Sequence, residues 1–365
     1  MTDFLTWFEQ EQKGLEGNWS DLFLKEGRYP KMADASGHVV TLPGAPRISV
    51  NDIAAILECQ TRKDYRFSMS DLHGKNGMPT ELDFAARVTD LRFRCNLFHY
   101  FGGNKALVMR KLNEHIPDFQ SLGLPTETVL PLFGRSAGLI LFAGATGSGK
   151  STSQASGLIA QVKRAIHILT IEDPVEYLLP EDQAAEVTQR EIGVDSRDFS
   201  TAIRAALREK PNIIMVGELR DAETIEAATI AANSGHLVLA TTHAATASEA
   251  VRRILESVPA ESRAGLQNIL ADALIAVIAQ KLLPRADKPG KVLAYEVLTA
   301  TSAVRANIAT GRYDQLPNEI SQGGVDGMNL MEQRIKELLR ESIITEETAF
   351  AYAPSLKRLQ DMLGY

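Results

Sequence analysis

The segment Gly144–Thr152 reads GATGSGKST and constrains the fold more than any other stretch of the chain. Gly144, Gly149, Lys150 and Ser151 complete the pattern Gly-x-x-x-x-Gly-Lys-Ser. Before it, AGLILFA is a short apolar run of buried-strand type, and after it STSQASGLIAQVKRA has helical spacing. Strand, glycine loop and helix in that order form the setting of a phosphate-binding loop. Glycines there let backbone N–H groups point at an anion, and the new helix adds the positive end of its dipole. Gly144, Ala145, Thr146, Gly147, Ser148, Gly149, Lys150, Ser151 and Thr152 are therefore expected to cradle a nucleoside triphosphate. Lys150 would reach the β- and γ-phosphates, and the Ser151 hydroxyl would ligate Mg²⁺.

Around this loop the chain alternates. LILFA, IHILTI, NIIMVG and HLVLATT read as strands separated by helical stretches, the signature of a parallel sheet covered by helices on both faces. Asp221 and Gly235 punctuate one of those helices as cap and stop. Further on, RAGLQNILADALIAVIAQ reads as one long apolar helix and PRADKPGKVLAYEVL as a hairpin; from about residue 301 the pattern is helical. The first part of the chain differs. FLTWFEQEQ suggests a short amphipathic helix and SDLFLKEG a strand, while ISVNDIAAILECQ suggests a helix with Ser49 or Asn51 as its cap. ELDFAARVTDLRFRCNLFHYFGGNKALVMRKL reads as successive strands turning at Thr89-Asp90 and Gly102-Gly103-Asn104. The expected class is α/β, with an α+β module over 1–120, a linker over 121–134 (two prolines, little periodicity) and a P-loop domain over 135–365.

Composition excludes several alternatives. The 365 residues carry 46 acidic and 39 basic side chains, a formal net charge of −7, which argues against a general nucleic-acid binder. Cys59 and Cys95 are the only cysteines, so neither a disulfide framework nor a zinc site is implied, and a reducing cytosol is the expected home. The opening residues MTDFLTWFEQEQKGLEG lack the pattern of a signal peptide, and no run of about 18 apolar residues predicts a membrane span.

Three more segments should meet the P-loop at the C-terminal ends of parallel strands, where open α/β sheets bind ligands. TIEDPVEY gathers Glu172, Asp173 and Glu176 at a strand exit, as a base for water or an Mg²⁺ partner. NIIMVGELRD ends an apolar strand in Glu218, an acid placed to hold the metal or to polarise the attacking water. SGHLVLATTHA opens a strand with His236 and closes it with His243, about 23 Å apart if extended. One phosphate cannot touch both. His243 is the better γ-phosphate sensor, and His236 is read as a fold or interface group. Charge growing on the γ-phosphate also needs a cation, often an arginine from a neighbouring subunit. Arg92, Arg94 and Arg110 are candidates, with Arg92 and Arg94 on one face of their strand.

With these motifs in this order, nearly the whole chain resembles the secretion ATPase superfamily, and most of all the pilus retraction ATPases of the PilT/PilU type. SDLFLKEGRYP resembles that family's opening strand and turn, and RFRCNLF its arginine strand. GATGSGKST resembles its Walker A, ILTIEDPVEY its aspartate box, AALREKPNIIMVGELRDAETIEAA its Walker B region and SGHLVLATTHA its histidine box. The resemblance implies a PAS-like amino-terminal domain, a RecA-like ATPase domain with a helical tail, and a homohexamer with ATP between subunits. It makes Glu172 the general base, Glu218 the Walker B acid that shares Mg²⁺ with Ser151, His243 a γ-phosphate contact, and Arg94 and Arg110 arginine fingers. It implies a cytoplasmic motor peripheral to the inner membrane, partnered by a pilus platform protein and by a related pilus ATPase, with no nucleic acid. Two departures are visible: TT and AA flank His243 where the family has leucine and threonine, and KPN leads into the Walker B strand. The four-cysteine insertion of the extension ATPases is absent, which favours a retraction-type motor. Conjugation and type IV secretion ATPases share the core motifs, and a nucleotide-gated ring with little hydrolysis is a third reading.

Overall fold

A computed structural model describes residues 3–12, 15, 19–34, 38–59, 81–112 and 115–365. The chain divides into two compact units, Met1–His115 with Pro174–Tyr177, and Ile116–Asp173 with Leu178–Tyr365.

The first unit contains helices α1 (Phe4–Glu11) and α2 (Val50–Glu58) and strands β1 (Trp19–Lys25), β2 (Lys31–Asp34), β3 (Val39–Thr41), β4 (Leu82–Val88), β5 (Leu91–Tyr100) and β6 (Asn104–Lys111). The strands form an antiparallel sheet in the order β3-β2-β1-β6-β5-β4, the expected α+β arrangement. Ser49, not Asn51, caps α2: its hydroxyl accepts from the Asp52 amide while the Asp52 carboxylate accepts from the Ser49 amide. The other Asp52 oxygen accepts from Phe4 N at 2.8 Å, which ties the start of α1 to α2. Period-2 alternation along β5 sends Phe93, Cys95 and Leu97 into the core, where Phe93 and Phe8 both pack on Trp19.

The second unit begins with short helical turns, Phe119–Leu122, α3 (Thr126–Val129) and Leu130–Gly134, most of them in the 121–134 stretch read as a linker; Val129 and Phe133 of that stretch, and Phe119 just before it, are buried in the unit's core. Next come β7 (Gly138–Ala143), α4 (Lys150–Ile159), β8 (His167–Glu172), β9 (Glu186–Glu191), α5 (Phe199–Ala206), β10 (Ile213–Val216), α6 (Ala222–Asn233), β11 (Leu237–Thr242), α7 (Ala247–Glu256) and α8 (Ala260–Ala273). They are followed by β12 (Leu274–Pro284), β13 (Lys291–Thr299) and a tail of five helices: α9 (Ser302–Ala309), α10 (Leu316–Gln322), α11 (Met331–Arg340), α12 (Glu346–Tyr352) and α13 (Leu356–Leu363). The sheet order is β13-β12-β7-β11-β10-β8-β9, parallel throughout except for the β12–β13 hairpin. This is the expected RecA-like sheet. Both faces are covered: along β7, Leu139 and Leu141 enter one core while Ile140 and Phe142 enter the other. Each such side chain contributes about 1.5–3 kcal/mol by leaving water.

One expectation fails here, and one strand has no counterpart in the sequence reading. The long apolar helix is a helix only to Ala273; Leu274–Pro284 is a strand between β7 and β13. A continuous apolar run does not distinguish a buried helix from a buried strand, and only pairing with β7 decides it. β9 is the strand not anticipated: EVTQRE is too polar to signal one, yet it pairs with β8 at the sheet edge.

The cap at Asp221 is as expected, with its carboxylate accepting from the Thr224 amide at 2.8 Å and from the Thr224 hydroxyl at 3.0 Å. Asp221→Ala should lower unfolding stability by about 1 kcal/mol in chemical denaturation. An unchanged midpoint would show that the cap contributes nothing.

Candidate functional site

The site is built at the C-terminal ends of four adjacent parallel strands, β7, β11, β10 and β8. Backbone bonds fasten their exits to one another. Gly144 N donates to Thr242 O at 3.2 Å, Leu219 N to Thr241 O at 2.9 Å, and Gly217 N to Ile171 O at 2.8 Å. The Thr241 hydroxyl also donates to Gly217 O. The loops after β7, β10 and β11 are thus held side by side, although the chain visits them many residues apart.

The glycine loop fits a polyphosphate. A Cβ on Gly144 would lie 2.4 Å from Ser148 Oγ and 2.5 Å from Gln280 O, and its φ is +150°. Only glycine is accommodated there. Gly149 has φ +93° and caps α4, whose first residue is Lys150, so the helix's unsatisfied N–H groups open onto the loop. Lys150 is buried, with Nζ donating to Gly144 O at 2.8 Å and Ala145 O at 3.0 Å. Ser148 Oγ is buried without a hydrogen-bond partner among the described residues, an orphan that a phosphate oxygen would satisfy. Ser151 is half-buried in the first turn of α4.

Glu218 and His243 come together as strand neighbours should: Glu218 Oε1 lies 2.9 Å from His243 Nε2, and Glu218 Oε2 accepts from Arg220 Nε at 2.7 Å. Glu172 is buried at the end of β8, where its Oε1 accepts from the Thr170 hydroxyl at 2.7 Å and from Gln189 Nε2 at 3.4 Å. Asp173 follows it in the second unit. Glu176, expected as the third carboxylate, falls with Pro174–Tyr177 in the first unit, where the buried Arg92 donates to Val175 O at 2.7 Å and Glu176 O at 3.3 Å. His236 sits at the opposite end of β11 from His243; its Nδ1 lies 3.2 Å from Ala231 O, a contact that closes the turn from α6 into β11. Arg94 and Arg110 are paired across β5 and β6, and the exposed Arg110 is bound to Asp21 at 2.9 Å.

The glycine loop thus stands at the same strand ends as the Glu218–His243 pair and Glu172. The family described as Type II/IV secretion system protein matches residues 64–348. The chain belongs to this family. Among curated relatives, the uncharacterized protein YggR of Escherichia coli is 45% identical over 266 residues, covering 72% of this chain and 79% of YggR. The type IV pilus ATPase PilU of Pseudomonas aeruginosa is 34% identical over 354 residues, covering 96% of this chain and 89% of PilU. The crystal structure of the pilus retraction motor PilT with bound ADP superposes with a TM-score of 0.85 at 35% identity, over 99% of this chain and 100% of that one.

This secretion-system family member also shows site residues that sequence reading missed. A cavity of about 750 Å³ runs from the glycine loop and His243 to Gln280, Lys281 and Tyr352. Gln280 lies under the loop, donating from Nε2 to Ser153 Oγ at 2.8 Å. Lys281 Nζ donates to Tyr352 O at 2.9 Å, and burial pushes its ammonium pKa down. The signal was present: Gln280 and Lys281 are the only polar residues between Leu274 and Leu283. Reading that stretch as a helix hid which strand end they occupy.

Proposed function

We propose that this protein is a hexameric cytoplasmic ATPase that drives type IV pilus retraction through an inner-membrane platform protein, with a related pilus ATPase as a further partner. The observation that carries the reading is the Glu218–His243 pair beside the glycine cradle, in a chain that aligns with a protein named a pilus ATPase over 96% of its length. No helix among the described residues is long and apolar enough to cross a membrane, so contact with the inner membrane would run through the platform protein.

In this reading Lys150 leaves the Gly144 and Ala145 carbonyls to bind the β- and γ-phosphates, and Ser148 Oγ gains its missing partner. Ser151 and Glu218 would hold Mg²⁺, which supplies charge neutralisation between the phosphates. Glu172, kept in one orientation by Thr170 and Gln189, orients the attacking water. His243 reports the γ-phosphate to Glu218. Arg94 and Arg110 would act on a neighbouring subunit's nucleotide, and Arg110 must first leave Asp21. The first unit is then the PAS-like domain and the second the RecA-like motor.

Steady-state ATPase rate and solution mass, measured together with and without ATP, test this. The expected result is a hexamer that hydrolyses ATP, with Arg94→Ala reducing turnover by about 10³-fold or more, as for a finger supplied in trans. A monomer whose specific activity does not depend on concentration would defeat the shared-site reading.

A further inference from the structure

Glu296 on β13 is buried and bonds to the first residues of two helices at once. Its Oε1 accepts from Ala247 N of α7 at 2.7 Å, and its Oε2 accepts from Met331 N of α11 at 3.3 Å. α7 begins directly after the loop that carries His243, and that loop is tied to the helix. Ala245 N donates to Glu249 Oε2 at 2.8 Å, Glu249 N to Thr246 Oγ1 at 3.2 Å, and Arg253 donates to the His243 carbonyl at 2.6 Å. A shift of the start of α7 therefore carries His243 with it. On the other side, Glu332, next to Met331 and fully buried, accepts from Ser355 N at 3.0 Å and from Arg358 at 3.1 Å, which adds α13 to the same cluster.

We propose that Glu296 is a positioning residue for the His243 loop, a proton-dependent clamp that joins the starts of α7 and α11. The clamp rests on the ATPase reading of the site. The ionised carboxylate can accept both N–H bonds; once one oxygen carries a proton it cannot accept as before, and the longer bond, to Met331, is the one released. Burial pushes the Glu296 carboxyl up to about 7, against the pull of its two N–H donors, with Glu332 adding to the rise and Arg358 opposing it. Glu332 Oε2 has no hydrogen-bond partner among the described residues, so the negative charge beside Glu296 is incompletely compensated. The remaining charged groups around the clamp are few. Glu249 and Arg252 of α7, Asp314 and Arg358 share a cavity of about 550 Å³ with Glu296. On β12, Lys281 interacts with Glu332 and Glu249, and on α10 Glu319 is bound by Asn307 at 3.0 Å.

Glu296→Gln keeps the shape but fixes one acceptor and one N–H₂ donor, as in the protonated state. Wild-type ATP turnover should rise about three- to tenfold between pH 6 and 8, whereas Glu296→Gln should stay near the low value throughout, with KM for ATP within about twofold. Hydrogen exchange of the wild-type chain is the second readout. Protection of the Met331 amide, corrected for intrinsic exchange, should increase over the same range, while that of the Ala247 amide, whose shorter bond is kept, should change less. A Glu296→Gln variant that retains the wild-type rise, or Met331 amide protection that is the same at pH 6 and 8, would overturn the clamp. If the wild type hydrolyses no ATP, the motor reading fails on its own, and the exchange measurement still decides for or against the clamp.

Discussion

Lys150→Ala should reduce ATP turnover by about 10²–10³-fold or more, the scale for removing one preorganised positive donor from a developing phosphate charge. The side chain is buried and its ammonium is already held 2.8–3.0 Å from the Gly144 and Ala145 carbonyls, inside the loop that would surround the phosphates. When nucleotide enters, the ammonium exchanges these two carbonyls for phosphate oxygens without leaving the loop, so the loss should fall on catalysis and on nucleotide affinity together. Stability should move less. Alanine takes the Lys150 donor from the Gly144 carbonyl, about 1–3 kcal/mol if it stays dry, while Ala145 O still accepts from Ser148 N at 3.2 Å, and the loop borders a cavity from which water can replace the ammonium. Steady-state hydrolysis and ADP titration calorimetry on the same preparation separate these effects. Turnover at the wild-type rate in Lys150→Ala would mean that the site lies elsewhere.

The parts of the site legible in the sequence are those whose chemistry is local. GATGSGKST carries its own geometry, because glycine spacing and the following helix start are set within nine residues. Glu218 and His243 were readable as strand-end residues because NIIMVG and HLVLATT are unmistakable buried strands. Their 2.9 Å contact was not readable: it depends on β10 and β11 being neighbours, a property of sheet order. The same limit explains Gln280, which reaches the loop only because β12 inserts beside β7. Glu296 was hidden for a further reason. In KVLAYEVLT it looks like one charged residue on a hairpin, and its role depends on helix starts 49 and 35 residues away. Closeness in sequence also did not reveal that Glu176, four residues after Glu172, is grouped with the first unit.

Gly144→Ala should be the most damaging single-methyl change in the loop, and comparison with Gly147→Ala isolates the reason. Both glycines have positive φ, +150° at Gly144 and +76° at Gly147, so either substitution carries backbone strain of about 1–3 kcal/mol. They differ in what the new methyl meets. At Gly147 nothing lies within 4 Å, whereas at Gly144 the methyl would sit 2.5 Å from the Gln280 carbonyl and 2.4 Å from Ser148 Oγ. The serine can rotate; the carbonyl belongs to β12, which is paired along its length with β13 and cannot yield without disturbing the hairpin. Overpacking of that kind adds about 1–3 kcal/mol. Gly144→Ala should therefore be less stable than Gly147→Ala by about that amount in denaturant titration, and should bind ADP at least about tenfold more weakly, because the displaced loop no longer presents its N–H groups together. Equal losses in the two variants would mean that β12 does not press on the loop, and the structural role of Gln280 beneath it would fall as well.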